Sequence, residues 1–288
     1  MTLIDPELSI ILPAKNESRG LASVLPRLRA VFPDAEIIVV DDGSSDDTSQ
    51  VAESYSAKVI SHLHSKGNGA SVKTGARNAT GNILVFMDAD GQHKPEDVPV
   101  LLGKLAEGVD MVVGARTQDS QAGMHRAAAN GFYNRLASWM VGHQVADLTS
   151  GFRAVHADKF RQFLYLLPNG FSYPTTITMS FFRAGYSVEY VPIFAPKRIG
   201  KSHIRLVRDG ARFVLIIFKI GTLYSPLKLF LPISLMFFCT GLAYYGYTLT
   251  TVHRFTNMSA LLFITSVLIF MIGLVSEQIT ALMYKDSE

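Results

Sequence analysis

Two aspartates one residue apart, Asp88 and Asp90, stand where their carboxylates could do chemistry together. They follow the apolar run 83–87, which predicts a buried strand, and they precede Gly91 and Gln92. In an extended chain residues i and i+2 face the same side, so both carboxylates can converge at the rim of a sheet. Such oxygen donors suit a Mg²⁺ or Mn²⁺ ion that also binds a diphosphate. A solvated turn is the alternative, because Asp and Gly are common turn residues.

The elements around this pair alternate between strand and helix four times, which predicts an α/β fold: a parallel sheet with helices on both faces. The predicted strands are 9–12, 35–40, 58–60 and 83–87. Ligands of such sheets bind at the carboxyl ends of the strands, where the loops 13–17, 41–48 and 88–92 fall. A cation bound with a nucleotide would offset the charge of the acids collected there, namely Glu17, Asp41, Asp42, Asp88 and Asp90.

A glycine-rich turn, 66–70, precedes a predicted helix that runs to Ala79. Gly67 and Gly69 fit the start of a dinucleotide fingerprint, but position 72 is valine, and the chain has no Walker A sequence. The turn is therefore either a plain helix start or a place where backbone amides face a nucleotide.

The region after residue 97 contains further strands at 110–116 and 188–193 and a helix at 124–141. Asp147 precedes the segment 148–153 and could act as a helix cap. We expect Arg135 and Arg153 to be ordinary surface cations. The loop 197–203 combines basic residues with a glycine, which suggests a mobile basic segment.

Composition narrows the class of protein. A net charge of +3 does not argue for a nucleic-acid partner, and the single cysteine, Cys239, excludes a disulfide framework. No Cys and His residues have zinc-site spacing. Residues 1–8 contain two acids and no basic residue, so we expect no secretory signal and a cytosolic first part of the chain.

The last third of the chain has the composition of a membrane segment. Residues 229–252 carry no charge, and a second apolar stretch covers 258–284, so each is long enough to cross a hydrocarbon core of about 30 Å. Lysines flank the outer ends of this hairpin, which favours a cytosolic catalytic part. Basic and apolar residues alternate over 204–224, as in a helix that lies in the headgroup plane.

Taken together, these motifs resemble family 2 glycosyltransferases of GT-A fold, and among them the polyprenyl-phosphate group. The resemblance covers essentially the whole chain. It rests on the segments 12–17, 40–48, 88–92, 147–153 and 197–203. It implies a GT-A catalytic domain over 1–203, an interfacial helix region over 204–226 and two transmembrane helices within 227–286.

The resemblance also implies roles for individual residues. Nucleotide binding would fall to Pro13, Ala14, Glu17, Asp41, Asp42, Asp88 and Ala89. The divalent metal, Mg²⁺ or Mn²⁺, would be held by Asp88, Asp90 and Gln92. The acceptor phosphate would meet Arg116, Arg126 and Ser150, and the donor diphosphate would meet Arg198 with Lys197 and Lys201. Asp90, Arg116, Arg126 and Arg198 would be the catalytic set.

The implied reaction is an inverting, metal-dependent transfer of a sugar to undecaprenyl or dolichyl phosphate at the cytosolic membrane face. Lys15 and Asn68 depart from the residues that many relatives carry, so the sugar and the choice between UDP and GDP stay open. The amphipathic helix and hairpin leave self-association open.

Three other classes of protein fit this sequence less well. A processive polysaccharide synthase typically carries Gln-x-x-Arg-Trp, whereas Leu136-Ala137-Ser138 precedes the single tryptophan, Trp139. A membrane-anchored protein that only binds a nucleotide sugar would have no need of the pair Asp88 and Asp90. A soluble nucleotidyltransferase would leave the hairpin unexplained.

Overall fold

The computed structural model describes residues 8–116, 124–170, 172–194 and 221–284, with the backbone alone at 124–130, 132 and 284. They form two compact units, one before and one after residues 195–220. The described elements of the first unit are β1 (Leu8–Ala14), α1 (Ser18–Val31), β2 (Glu36–Asp41), α2 (Thr48–Ser54), β3 (Lys58–Ser61), α3 (Asn68–Asn78), β4 (Ile83–Phe86), α4 (Val98–Leu105), β5 (Met111–Arg116), α5 (Met124–Val141), β6 (Arg153–His156), α6 (Ala157–Gln162), α7 (Tyr173–Arg183) and β7 (Val188–Ile193).

The strands form one sheet in the order β3-β2-β1-β4-β6-β5-β7. Neighbouring strands are parallel except around β6, which is antiparallel to both β4 and β5. The prediction of a mostly parallel sheet is confirmed. The sequence did not predict β6, because only Ala154 and Val155 of its four residues are apolar, unlike the continuous apolar run of β4. Since β6 runs the opposite way, it begins at the edge where β4 and β5 end.

Helices cover both faces of the sheet, as predicted. On one face Gly75 of α3 lies against Ile11 so closely that a Cβ would clash, and Phe86 packs on Phe160 of α6 with ring centroids 4.6 Å apart. Alternate residues of the same strands face the other way. They share a buried core with the apolar residues of α1 and α4, such as Leu25 and Leu101.

The second unit is a helical hairpin of α8 (Pro226–Thr251) and α9 (Asn257–Tyr284), close to the two predicted spans. Both helices are long and apolar enough to cross a membrane, and less than a fifth of the most apolar stretch of each is buried. Core helices of a soluble protein would be largely buried, so this exposure favours a lipid-facing surface.

Small residues bring the two helices of the hairpin together. The hydroxyl of Ser234 donates to the carbonyl of Ser266, and the hydroxyl of Ser266 donates to the carbonyl of Ser234, each over 2.9 Å. A Cβ on Gly273 would lie only 2.8 Å from the Cβ of Phe230. Close approach at small residues and hydrogen bonds between helices are typical of helix pairs in membranes.

Candidate active site

The predicted site residues gather at one edge of the sheet. The carboxyl ends of β1, β2, β4 and β5 share this edge with the beginning of β6. Asp88 follows β4 by two residues, Arg116 is the last residue of β5, and the segment 147–152 leads into β6. The antiparallel strand therefore brings a segment to this edge that an all-parallel sheet would have placed elsewhere.

Asp88 and Asp90 lie in a turn beyond the end of β4, not in the strand itself. The argument that alternation along a strand places both carboxylates on the same side therefore does not apply, because the chain is no longer extended there. The turn reverses at Gly91, whose φ is +78°, and Asp90 Oδ1 accepts a hydrogen bond from the Gln92 amide over 3.1 Å. The Asp88 side chain is 39% exposed, whereas Asp90 is only 8% exposed. A buried carboxylate argues against a simple solvated turn.

This acidic turn, 88–92, is packed against α1. The carbonyl of Ala89 approaches Gly20 so closely that any side chain at position 20 would collide with it. Ala89 itself is only 2% exposed. Helix α1 therefore supports the acidic turn from one side, and the turn can keep its position only with glycine at position 20.

A buried histidine that the sequence analysis passed over lies behind Asp88. The amide of Asp88 donates to Nδ1 of His93 over 3.0 Å. The imidazole is stacked on Phe152, with ring centroids 4.9 Å apart and planes 17° apart. Its other nitrogen, Nε2, lies 3.8 Å from Asp88 Oδ2.

The segment before β6 touches the same carboxylate. A Cβ on Gly151 would lie 3.3 Å from Asp88 Oδ1 and 3.2 Å from the Tyr173 hydroxyl oxygen. Tyr173 is 2% exposed, and its hydroxyl donates to the Gly151 carbonyl over 3.4 Å. Burial raises the pKa of Tyr173, so the phenol stays protonated. Glycine at position 151 therefore leaves room around the Asp88 carboxylate.

Arg116 is held by a two-point ion pair with Asp147. Nε donates to Oδ2 over 2.8 Å, Nη2 donates to Oδ1 over 3.1 Å, and Nη2 also donates to the Thr149 hydroxyl over 2.6 Å. Burial alone would raise the pKa of the Asp147 carboxyl, but the hydrogen bonds and charge of Arg116 hold it below its usual range. The ion pair fixes the guanidinium at the end of β5.

Asp147 is a loop residue and not the helix cap that the sequence suggested, because the segment after it enters β6. Its carboxylate accepts hydrogen bonds from the amides of Thr149 and Ser150, each over 3.1 Å. The Ser150 hydroxyl, in turn, donates to the Gly114 carbonyl over 2.6 Å. These contacts tie the segment 147–152 to β5, and a role for Ser150 in acceptor binding stays a prediction.

Arg153 is not a surface cation: it is 0% exposed, so that expectation is wrong. Its guanidinium donates to the carbonyls of Ser150 and Pro174 and to the Thr178 hydroxyl, and it lies over the ring of Tyr173. It therefore joins the segment before β6 to α7. Arg135, by contrast, is exposed as expected.

Asp42, predicted to contact the nucleotide, is saturated by hydrogen bonds within the fold. It accepts from Nδ1 of His62 and from the Ser65 hydroxyl, both over 2.7 Å, and from the amides of Lys66 and Gly67 over 2.8 and 2.9 Å. Burial opposes ionisation, but these donors hold the pKa of the Asp42 carboxyl well below its usual range. Asp42 thus fixes the loop before α3.

The other predicted nucleotide residues lie in two loops that are bound to each other. Asp41 accepts from the Ser44 amide over 2.9 Å and from the Ser49 hydroxyl over 2.5 Å. The amide of Glu17 donates to the Thr48 hydroxyl over 3.0 Å. Pro13 and Ala14 end β1, beside these loops. Their contact with a nucleotide stays a prediction.

The glycine-rich turn is docked on another segment. The amide of Ala70 donates to the Asn169 carbonyl over 3.1 Å, and Gly69 has no room for a side chain against Pro168. The start of α3 is therefore covered by the segment 167–170, which favours the plain helix start over a nucleotide site.

Four predicted cations lie outside the described side chains. Lys197, Arg198 and Lys201 lie outside the described residues, and Arg126 lies in the first turns of α5, where only the backbone is described. Their roles stay predictions.

The donor set of the acidic turn fits a divalent cation. Among the described residues, no three His, Cys, Asp or Glu side chains come together in a way that could hold a metal ion. Asp88, Asp90 and Gln92 offer hard oxygen ligands, and Mg²⁺ is often held by only one or two carboxylates together with substrate phosphates. The space that Gly151 leaves beside the Asp88 carboxylate fits this arrangement.

Comparison with known families agrees with this geometry. Residues 9–164 match the family described as Glycosyl transferase family 2, which is more than half of the chain. The chain belongs to glycosyl transferase family 2. Residues 225–282 of this glycosyltransferase match the GtrB C-terminal hairpin. The resemblance drawn from the sequence is confirmed, and the hairpin match with the two apolar helices indicates a membrane-anchored enzyme.

Curated relatives of this glycosyltransferase act on polyprenyl phosphates, according to their names. It is 30% identical over 211 residues to the undecaprenyl-phosphate mannosyltransferase of Micrococcus luteus, covering 67% of this chain and 85% of that one. It is 27% identical to the polyprenol monophosphomannose synthase of Mycolicibacterium smegmatis, covering 67% and 79%. It is 32% identical to the undecaprenyl-phosphate 4-deoxy-4-formamido-L-arabinose transferase of Klebsiella pneumoniae, of which it spans only 48%.

Solved structures support the GT-A fold of this glycosyltransferase. The glucosyl-3-phosphoglycerate synthase of Mycobacterium tuberculosis, solved with Mn²⁺ and UDP, matches with a TM-score of 0.60 and 23% identity over 75% of this chain and 79% of that one. The same enzyme solved with Mg²⁺ and UDP matches with a TM-score of 0.60 and 25% identity, again over 75% and 79%. The fold prediction is confirmed.

Proposed function

We propose that this glycosyltransferase moves a sugar from a nucleoside-diphosphate sugar to a polyprenyl phosphate at the cytosolic face of a membrane, giving a polyprenyl-phosphate monosaccharide. The observation that carries the proposal is the union in one chain of a family 2 unit with a hairpin of the GtrB type. The names of the relatives that act on undecaprenyl phosphate and polyprenol support the same acceptor class.

The acidic turn is suited to the donor diphosphate. Asp88 is half-exposed on a turn held by α1 and by the segment before β6, so its carboxylate can meet a ligand with little rearrangement. When bound, a Mg²⁺ or Mn²⁺ held by Asp88, Asp90 and Gln92 supplies positive charge that stabilises the departing nucleoside diphosphate.

Arg116 is suited to the acceptor phosphate. Its side chain is 30% exposed at the same edge as Asp88, and its orientation is set in advance by Asp147. A guanidinium that is already oriented loses little entropy when it binds an anion.

The chemistry needs no strong general base. A phosphate monoester is already anionic at neutral pH, so its oxygen can attack the anomeric carbon directly, and the protein needs to position it and exclude competing water. Attack from the side opposite the leaving diphosphate inverts the anomeric centre.

The test is a transfer assay with the full chain in membranes. Radiolabelled GDP-mannose, UDP-glucose and UDP-N-acetylglucosamine are each incubated with undecaprenyl phosphate, with Mn²⁺ or with EDTA. We expect label in the organic phase as a lipid-linked monosaccharide with one donor, and we expect the signal to disappear with EDTA. A long water-soluble polymer would instead indicate a processive synthase.

A pair of variants connects the product with the proposed site. Asp90→Asn should abolish product, whereas Asp158→Asn, which removes an exposed carboxylate from α6, should keep it. Donor binding without transfer by any donor would point to a binding protein and contradict the proposal.

A further inference from the structure

The backbone ladder of β1 and β4 ends one residue before the acidic turn. The amide of Met87 donates to the Ile11 carbonyl over 3.1 Å, which is continuous with the pairing of the two strands. The next amide, that of Asp88, leaves the ladder and donates to His93 Nδ1 over 3.0 Å. The backbone amide of the predicted metal ligand is therefore bound by a side chain five residues further along the chain, and not by the neighbouring strand.

This hydrogen bond defines the proton on the ring of His93. Nδ1 accepts the Asp88 N–H and so carries no proton, which places the proton of a neutral imidazole on Nε2. Nε2 lies 3.8 Å from Asp88 Oδ2, so its N–H is attracted to the carboxylate. Neither ring nitrogen has a free lone pair for a metal while these contacts hold, so His93 is not a ligand.

The ring of His93 cannot turn away from Asp88 without losing its packing. It is only 4% exposed, and it is stacked on Phe152, which is fully buried. Phe152 directly follows Gly151, where a Cβ would lie 3.3 Å from Asp88 Oδ1. Asp88 thus lies beside both the imidazole and the segment before β6.

We propose that His93 is a positioning residue that fixes the backbone of Asp88 and aims its carboxylate at the metal and the donor diphosphate. The inference rests on the proposed function, because it assumes that Asp88 binds the metal of a bound nucleotide. Groups that orient metal ligands typically change metal affinity by about 10- to 100-fold when they are removed.

Two variants separate the hydrogen bond from the packing. In His93→Asn the amide oxygen occupies roughly the place of Nδ1 and can still accept the Asp88 N–H, but the ring is lost. In His93→Phe the ring can still stack on Phe152, but no acceptor remains. His143, which is exposed and stacked on Phe182 with centroids 5.3 Å apart, provides the matched control His143→Phe.

The experiment measures the binding of Mn²⁺ to the full chain in detergent, in the presence of GDP or UDP. Binding is detected as a decrease in the EPR signal of free Mn²⁺. We expect His93→Phe to raise the apparent Kd for Mn²⁺ by about tenfold or more, His93→Asn to recover most of the affinity, and His143→Phe to match the wild type. The KM for Mn²⁺ in the transfer assay should follow the same order.

The reverse order, with His93→Phe near wild type and His93→Asn impaired, would show that His93 acts by packing and would overturn the inference. Equal Mn²⁺ affinity in all variants would do the same. If the wild type binds no Mn²⁺ with either nucleotide, the metal-dependent function itself fails, which is a different outcome. Circular dichroism melts identify any variant that has not folded. In that case Phe152→Leu, which removes the stacking partner but leaves His93, is measured instead. We expect this variant to lose less Mn²⁺ affinity than His93→Phe.

Discussion

Arg116 and Asp147 are joined by two hydrogen bonds, from Nε to Oδ2 over 2.8 Å and from Nη2 to Oδ1 over 3.1 Å. The pair connects the end of β5 with the segment that leads into β6. The fold therefore sets the direction of the one guanidinium that is described and partly exposed at the proposed acceptor side. Lysine could keep the charge but not this geometry.

We expect Arg116→Lys to raise the KM for polyprenyl phosphate by about tenfold, since charge-assisted hydrogen bonds are each worth about 1.5–3 kcal/mol. The KM for the nucleotide sugar should change by no more than about twofold, because the variant leaves the acidic turn intact. Steady-state kinetics with each substrate varied in turn gives both values. Arg135→Lys on the exposed side of α5 is the control, and equal rises in both KM values would contradict the assignment of Arg116 to the acceptor.

Gly151→Ala tests the space beside Asp88. A methyl group there would lie 3.3 Å from Asp88 Oδ1, so we expect the carboxylate to shift and the transfer rate to fall by about tenfold or more, since small misplacements of catalytic groups are costly. Gly103→Ala, which meets no atom within 4 Å, is the matched control and should keep full activity. Stopped-time transfer assays with saturating substrates provide the rates. Full activity in Gly151→Ala would show that the position of Asp88 does not depend on this contact.

Arg153→Ala tests the buried cation between β6 and α7. The change removes the guanidinium donor to the Ser150 carbonyl and one of the donors to the Pro174 carbonyl, and it opens a cavity, so we expect a loss of about 3–5 kcal/mol in the free energy of unfolding. Arg135→Ala, at the position that is exposed, should change this free energy by less than about 0.5 kcal/mol. Chemical denaturation in detergent compares the two. Similar losses in both variants would mean that the buried contacts of Arg153 contribute little.

Asp42 should make the catalytic unit sensitive to acid. The pKa of its carboxyl is lowered in the folded state, so its contribution is complete above the ordinary pKa of about 4 and is lost as the pH falls through the lower folded value. We expect the Tm of the wild type to decrease when the pH is lowered below about 4. We expect a smaller decrease for Asp42→Asn, whose Tm is already lower at neutral pH. Asp34→Asn, an exposed change, should retain the wild-type dependence. Differential scanning fluorimetry over this pH range measures all three, and parallel curves for Asp42→Asn and the wild type would disprove the linkage.

Much of the fold and part of the site could be predicted from the sequence. Apolar runs of four to six residues followed by polar loops predict strands and the edge at which ligands bind, because buried strands must be apolar and their exposed ends need not be. Asp88 and Asp90 were therefore predicted at this edge, whereas Arg116 was assigned to the site by the family resemblance. The two uncharged stretches predicted the hairpin, because the thickness of the membrane sets the length of a spanning helix.

Only the tertiary structure decided which residues hold those groups in place. His93 follows the acidic turn like any loop residue, and its contact with the Asp88 amide exists only because the turn reverses at Gly91. Asp147 meets Arg116 because β6 is inserted antiparallel between β4 and β5. Arg153 is buried by α7, 20 or more residues later in the chain. Local patterns determine which residues reach the edge of the sheet, whereas contacts between distant segments determine how each one is oriented.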